Sequence, residues 1–410
     1  MDIGSIKIED YNYTLPDEKI AKFPLKQRDM SKLLVYRNEA ISETGFVNLA
    51  ENLNKDSLLV FNNTRVIHAR LEFRRVTGAR IEVLCIEPHQ PSDYDMMFRE
   101  KGECSWWCMV GNLKKWKTGL LQMQVITSEG EVILLAEKIK KNENATLIKF
   151  KWNIEITFGE LIEVAGTLPL PPYLNRRAID NDRITYQTVY SQIEGSVASP
   201  TAGLHFTESV FASLKKKKTE CAFLTLHVGA GTFKPVKSDS ISKHEMHNEH
   251  FYINDFELEK IINKKGKLIA VGTTSVRTIE SLYWLGVKTI VNPEIEQDKL
   301  VISQWENYGL RTEIDGLTAL KSLSKWIKKH KLTVLHSATS IMIVPGYQFR
   351  LVDIIITNFH QPKSTLLLLI SAWVGEDWKR IYKYALENDF RFLSYGDSSL
   401  LFRSVNLMNS

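Results

Sequence analysis

The apolar positions fall into two textures along the chain. Ser57 to Phe61 is a continuous apolar run that reads as a buried strand, followed by the polar turn Asn62-Asn63-Thr64-Arg65 and a second apolar segment. From Leu71 to about Glu160 the pattern shifts to short alternating runs, ARIEVLCIE, LLQMQVIT, EVILLAEKI and ATLIKFKW, separated by Gly, Asn and Lys. That alternation predicts an all-β insert, a small barrel or sandwich. Leu168-Pro169-Leu170-Pro171-Pro172 cannot continue a helix and marks the end of the insert.

Beyond it, strands alternate with longer helical stretches. KLIAVG reads as a strand ending at Gly272, and Ser275 to Leu285 carries helical spacing, with Val276, Ile279 and Leu282 on one face and Thr273 and Thr274 placed to cap it. Thr207 and Glu208 are placed to open another helix, Val352 to Thr357 reads as a strand, and Leu366 to Trp373 reads as a buried helix entered through Pro362 and Ser364. The expected fold class is α/β, with a main domain formed by residues 1–70 and 161–410 and an inserted β domain at 71–160.

Composition narrows the class of function. A chain of 410 residues with 44% hydrophobic content can bury a sizeable core. Its longest apolar run, Leu366 to Val374, is broken by Ser371 and falls well short of the roughly 20 residues a membrane helix needs, so no membrane association is expected. Met1 to Asp10 lacks the apolar stretch of a secretory signal, and the expected compartment is the cytoplasm. Cys85, Cys104, Cys108 and Cys221 are too few and too irregular for a disulfide framework; Cys104 and Cys108 lack the second pair a zinc site requires. A net charge of +5 tolerates an anionic partner without announcing one. Three lysine clusters, at 215–218, 264–267 and 325–331, suit either phosphates or solvated helix faces.

Three loops concentrate Gly, Thr, His and Asn after apolar strands, where backbone N–H groups can face a ligand. Ser199 to Thr207 places a rigid turn, Gly203 and His205 together. Leu226 to Phe233 offers His227, Gly229, Gly231 and Thr232, with two glycines through which backbone can approach an anion or a flat base. Gly272 to Arg277 is a helix N-terminus whose orphan N–H groups suit a carboxylate or phosphate, with Arg277 available as a fork. His244, His247 and His250 recur every three residues; holding one metal would require an irregular backbone, and acid/base or base-recognition roles are the alternative.

These loops belong to a longer series: YTLPDEKIAKFPLKQRDMSKLLV, LLVFNNTRVIHARL, LPLPPYL, YQTVYSQIEGSVASPTAGLHFT, LTLHVGAGTFKPV, HEMHNEHFYI, AVGTTSVRTIES, VPGYQFRLVDIIITNFHQPKSTLLLLISAW and FRFLSYGDSSLLF. In content and order it resembles the S-adenosylmethionine:tRNA ribosyltransferase-isomerase (QueA) family over roughly half the residues. The resemblance implies a barrel-like α/β main domain interrupted by a small β-barrel. It implies transfer and isomerisation of the ribosyl part of S-adenosylmethionine onto 7-aminomethyl-7-deazaguanine at the tRNA wobble position, giving epoxyqueuosine, adenine and methionine. S-adenosylmethionine is then a co-substrate, tRNA the partner, and no metal or separate cofactor is implied; a monomer is expected.

On this resemblance His205, His227 and Arg277 are the expected catalytic residues. Asn62, Thr64, Arg65, Thr201, Gly203, Phe206, Gly229, Gly231, Thr232, His247, Thr273, Thr274, Ser275, Asn358, His360, Tyr395 and Asp397 are the expected substrate-binding set. Departures from the family pattern stand at Asn62-Asn63, where Asn-Asp is usual, at Gln361, where Leu is usual, at Glu249-His250-Phe251, and in a long segment from about Trp284 to Ser340. They leave open a diverged paralogue acting on another base or RNA, or a non-catalytic RNA-binding protein.

Overall fold

A computed structural model describes residues 3–75, 77–142, 145–229, 240–311 and 313–403. The chain enters its main sheet through β1 (Lys32–Arg37), which turns back into β2 (Ala40–Gly45), and then β3 (Leu58–Asn62). All five residues of β3 are buried because it has a parallel neighbour on each side, which is why its sequence is continuously apolar. The short β4 (Thr64–Val66) then leads out of the sheet.

The insert follows: β5 (Arg70–Arg74), β6 (Arg80–Gln90), α1 (Tyr94–Arg99), β7 (Glu103–Gly111), β8 (Leu121–Thr127), β9 (Gly130–Lys141) and β10 (Thr146–Lys151). Its strands form a six-stranded antiparallel sheet in the order β5-β6-β7-β10-β9-β8, and β5 returns close to β8, nearly closing a barrel. Inward positions alternate with solvated ones, so Val132, Leu134 and Ala136 of β9 are buried while their neighbours are more exposed. Helix α2 (Phe158–Ala165) plugs the barrel with Phe158, Leu161 and Ile162, and starts at a capping box in which Thr157 and Glu160 each accept the other's backbone N–H. Cys85, Cys104 and Cys108 are free thiols in this core.

The main body resumes with α3 (Asp182–Thr185), β11 (Ile193–Ser196), α4 (Glu208–Lys216), β12 (Glu220–Leu226), β13 (Glu249–Asn254), α5 (Asp255–Ile262), β14 (Leu268–Val271) and α6 (Thr273–Val291). It closes with α7 (Gly316–Lys329), β15 (Val334–Thr339), β16 (Ile354–Asn358), α8 (Thr365–Val374), α9 (Asp377–Glu387) and β17 (Ser398–Phe402). Thr207 and Ser364 cap α4 and α8 through their side chains, as the sequence predicts. Nine strands form a mixed sheet in the order β15-β13-β12-β3-β14-β16-β17-β1-β2. One face packs on α6, α7 and α8 around Leu224, Ile279 and Leu369; the other packs on α4 and the turn at 46–52 around Phe61, Phe206 and Ile356.

The long segment after Trp284 covers the first of these cores. Trp326 of α7 donates its indole N–H to the Ile295 carbonyl at 3.1 Å, and the Gln304 side chain brackets the backbone of His244 and Met246. Among the described residues no helix is long and apolar enough to cross a membrane. Because β12, β3, β14 and β16 are mutually parallel, their C-terminal ends open on one side of the sheet, the side where open α/β sheets hold ligands.

Candidate active site

At those strand ends lies a cleft of about 820 Å³, open mouth included, walled by residues 198–202, by Val228, by Gly272 to Thr274 with Arg277, and by Thr357 to Gln361. Gly272 ends β14 at φ +88 and is itself the N-cap of α6, with no side-chain cap. The expected capping by Thr273 and Thr274 is therefore corrected. Both threonines lie inside the first helical turn, and Gly272, which alone tolerates that backbone angle cheaply, takes the cap position. The consequence is chemical: the first N–H groups of a 19-residue helix are left without a side-chain cap at a cleft, where they favour a negative group.

Arg277, one turn further along α6, is 4% exposed and forms an ion pair through Nη1 with Glu249 of β13, equally buried. Its Nε donates to the Ile341 carbonyl at 3.3 Å, but among the described residues its buried Nη2 has no partner; nor do the buried hydroxyls of Ser199 and Thr274 on the same cleft. Three unpaired buried polar atoms around one cleft are costly in an empty site and are satisfied by a polar ligand. Opposite them, Thr201 donates its hydroxyl to the Asn358 carbonyl oxygen at 3.2 Å, and Asn358 donates its amide to His205 Nε2 at 3.1 Å. His205 Nδ1 then faces Ser31 Oγ at 2.7 Å. Both nitrogens are occupied, and burial pulls this imidazole down to about 4, so it is a neutral brace behind Asn358. His360 does line the cleft; its Nε2 lies 3.0 Å from Thr357 Oγ1, and burial holds it down to about 3.

A second, larger cavity of about 1470 Å³, open mouth included, lies where α1 of the insert covers the edge of the main sheet. β12 connects the two spaces: Val228 faces the first, while His227 faces the second. The His227 ring is wedged against Tyr94 of α1 at 4.2 Å between centroids and Tyr252 of β13 at 5.3 Å. A Cβ at residue 195 would lie 2.5 Å from this ring, so only glycine fits at Gly195. Burial, with His250 adding to it, lowers the His227 imidazole to about 3. Asn63 lines this cavity and accepts the Thr225 hydroxyl at 2.7 Å, whereas Gln361 lines the first cleft; the two motif departures therefore fall one in each.

Residues 8–401 match the queuosine biosynthesis protein family. The chain is 36% identical over 409 residues to the S-adenosylmethionine:tRNA ribosyltransferase-isomerase of Rickettsia bellii, covering 98% of this chain and 100% of that one. It is 34% identical over 400 residues to the protein of the same name from Trichlorobacter lovleyi, covering 96% and 99%. The chain belongs to the queuosine biosynthesis protein family. A solved S-adenosylmethionine tRNA ribosyltransferase of Thermotoga maritima is 27% identical, covering 95% of this chain and 99% of its own, with a TM-score of 0.44.

Within this family framework the expected residues separate by position. Thr201, Thr273, Thr274, Arg277, Asn358 and His360 line the strand-end cleft, and His227 lines the cavity beneath the insert. Others hold the loops. Asn62 exchanges hydrogen bonds with Leu226 N and O, and Thr64 Oγ1 lies 3.2 Å from His227 Nδ1. Gly203 meets the Tyr190 hydroxyl, Phe206 is in the sheet core, and Ser275 bonds the Val271 carbonyl. Asp397 binds the Lys32 and Arg391 backbone N–H groups, while Tyr395 donates to Asp182 at 3.0 Å beside a small cavity behind His205. Arg65 and His247 are exposed, Arg65 near Glu194 at 3.8 Å, and the Gly229 N–H points at Glu249 at 3.4 Å. Gly231 and Thr232 lie outside the described residues. His244, His247 and His250 lie on a cap, an irregular stretch and a strand, and no cluster able to hold a metal occurs among the described residues.

Ser199, Glu249 and Tyr94 were missed by sequence reasoning. Ser199 opens one of the singled-out loops, and Glu249 sits inside the histidine series, so motif position could have raised both. Tyr94 reaches the main domain from the insert, which no local pattern reveals.

Proposed function

We propose that the chain is an S-adenosylmethionine:tRNA ribosyltransferase-isomerase, which moves and isomerises the ribosyl group of S-adenosylmethionine onto 7-aminomethyl-7-deazaguanine at the tRNA wobble position, with release of adenine and methionine. The observation that carries this reading is the convergence of the uncapped α6 N-terminus with the unpaired Ser199 Oγ, Thr274 Oγ1 and Arg277 Nη2 on one cleft. Such a cleft suits S-adenosylmethionine, a ligand with a carboxylate at one end and sugar hydroxyls at the other. The carboxylate binds Arg277 and the helix N-terminus. Thr201 and Asn358, braced by His205, hold sugar or adenine polar edges.

The sulfonium acidifies its neighbouring ribose carbon, so a base of the site can take that proton and adenine is driven out; the acceptor amine then bonds to the activated sugar, and the sugar carbon–sulfur bond breaks to release methionine. The chain's contribution is to orient both partners and exclude water, and His360 is the neutral imidazole facing the reacting region. S-adenosylmethionine is consumed as a co-substrate, and the site uses no metal or separate cofactor. The compartment that fits a tRNA substrate is the cytoplasm, and the active unit is the monomer.

The test is mass spectrometry of the purified protein incubated with S-adenosylmethionine and tRNA carrying the aminomethyl base. Epoxyqueuosine together with adenine is the expected result; folded protein that yields neither product overturns the reading, and adenine release without base modification assigns a different acceptor.

A further inference from the structure

Phe23 is a large apolar ring left 53% exposed, yet it is held firmly from behind. The Arg176 guanidinium lies 4.2 Å from its centroid and 5.9 Å from the Tyr395 ring. Arg176 is itself fixed: Nη1 and Nη2 each donate to a carboxylate oxygen of the buried Asp182 at 2.7 Å, and Nε donates to the Lys22 carbonyl at 2.8 Å. Asp182 accepts in addition from the Ile179 N–H at 2.8 Å and the Tyr395 hydroxyl at 3.0 Å. A planar cation therefore backs one side of the Phe23 ring and leaves the rest of it to solvent.

A single exposed ring is ordinary, but this one has company. Met30 and Ile184, at 59% and 71% exposed, lie on the same two segments, residues 22–30 and 173–187. Arg28 ties the segments together by donating to the carbonyls of Gln187 and Ile184, both at 2.8 Å. Lys26, Arg177 and Arg183 are exposed there and make no ion pair among the described residues, while the only exposed carboxylate of the two segments is Asp180. Two of the three lysine clusters are by contrast partly neutralised within the molecule, 264–267 by Asp353 and 325–331 by Glu259 and Glu294.

The face also adjoins the strand-end cleft. Tyr173 and Tyr186, near the two ends of its second segment, line that cleft, and Arg28 lines the small cavity behind His205 with Ser394, which reaches the cleft as well. An RNA strand whose target nucleotide enters the cleft must cross neighbouring surface. A rigid ring flanked by unpaired cations is what a single strand binds, bases stacking on the ring and phosphates meeting the cations.

We infer that the face formed by residues 22–30 and 173–187 docks single-stranded RNA, with an unpaired base stacked on Phe23 and the backbone phosphates met by Lys26, Arg177 and Arg183. This deepens the proposed function and rests on it, since it names the surface that holds the RNA substrate outside the cleft.

Equilibrium binding of tRNA to the whole protein over a series of salt concentrations tests this, with Phe23→Ala, Phe23→Leu, Phe23→Trp and the double variant Lys26→Gln/Arg177→Gln. Leucine keeps an apolar cover over Arg176 but offers no ring face, whereas tryptophan keeps the face. Phe23→Ala and Phe23→Leu should each weaken tRNA binding about tenfold, and Phe23→Trp should bind as wild type does. The charge variant should reduce the slope of log affinity against log salt by about 1.4, the share of two phosphate contacts on a single strand. S-adenosylmethionine binding should stay unchanged in all four, as in an intact fold. Wild-type affinity and salt slope in Phe23→Leu and in the charge variant overturn the inference, as does Phe23→Trp binding no better than Phe23→Ala. Failure of wild-type protein to bind tRNA, the outcome for a face built to dock a protein, also overturns it. Ring-dependent, salt-dependent tRNA binding without epoxyqueuosine formation leaves the inference standing while the proposed function falls; normal modification by variants whose affinity is undiminished does the reverse.

Discussion

The two cavities on either side of residues 227 and 228 are a controlled comparison within one molecule. Both lie at the end of β12 and both hold a histidine that burial keeps neutral, yet a guanidinium and a helix N-terminus line one while acidic side chains line the other. In the strand-end cleft the positive groups are Arg277 and a helix N-terminus, supplied by the main α/β body. In the cavity beneath the insert the acids are Asp93, which caps α1, and Asp95, which pairs with Arg99 one turn along the same helix, both supplied by the β insert. The insert therefore does more than decorate the fold: it completes a pocket that the main domain leaves half built.

The largest expected effect comes from breaking the cleft's cation. Arg277→Met strands the Glu249 carboxylate in the core and should cost about 3–5 kcal/mol of stability, read by chemical denaturation. Adding Glu249→Gln should restore most of that stability while leaving S-adenosylmethionine binding lost, because the ligand's anchor is still missing.

Acid tests the histidines on both sides together. His205, His227 and His360 have folded values of about 4, 3 and 3, below the ordinary 6.5, because burial disfavours their charged forms. Between about pH 6.5 and those values the unfolded chain binds more protons than the folded one. Stability is thus full above pH 6.5 and falls as pH drops, by up to roughly 1.4 kcal/mol per pH unit for each imidazole. Denaturation midpoints at pH 7 and pH 5 should show the fall, and His360→Gln should make it shallower.

A smaller, more selective effect is expected from His227→Ala. Turnover with tRNA, as kcat/KM, should drop about tenfold to a hundredfold through loss of a buried imidazole, while the thermal shift with S-adenosylmethionine stays as in wild type. The smallest effect sharpens the picture of waiting donors. Thr274→Val replaces an unpaired buried hydroxyl with a methyl group, so the free protein should be unchanged or slightly more stable, within about 1 kcal/mol, while S-adenosylmethionine binds more weakly.

Sequence alone located the cleft more readily than the cavity. Runs such as LIAV followed by Gly272-Thr273-Thr274, or IIITN followed by Phe359-His360, announce strand ends, and strand ends of parallel sheets face ligands. The alternating pattern after Leu71 likewise announced a β insert. What no pattern distinguished was the side chain that meets a ligand from the one that holds its loop. Gly203, Phe206, Asn62 and Asp397 sit within or beside the same motifs and pack against or hydrogen-bond protein groups. His205 reads as a proton carrier because it is a histidine in a polar loop; no pattern reveals that Ser31 and Asn358, 174 and 153 positions away, stand on its two nitrogens. The cavity beneath the insert was hidden for the same reason, since Tyr94 and His227 come together across a domain boundary that separates them in sequence.

Division of labour between the two spaces is tested most directly by equilibrium dialysis of S-adenosylmethionine against wild-type protein, Arg277→Lys and His227→Ala. The account predicts that Arg277→Lys, which keeps the charge but loses the fork, binds at least tenfold more weakly, and that His227→Ala binds as wild type does. Equal loss in both variants, or loss in His227→Ala alone, would contradict it.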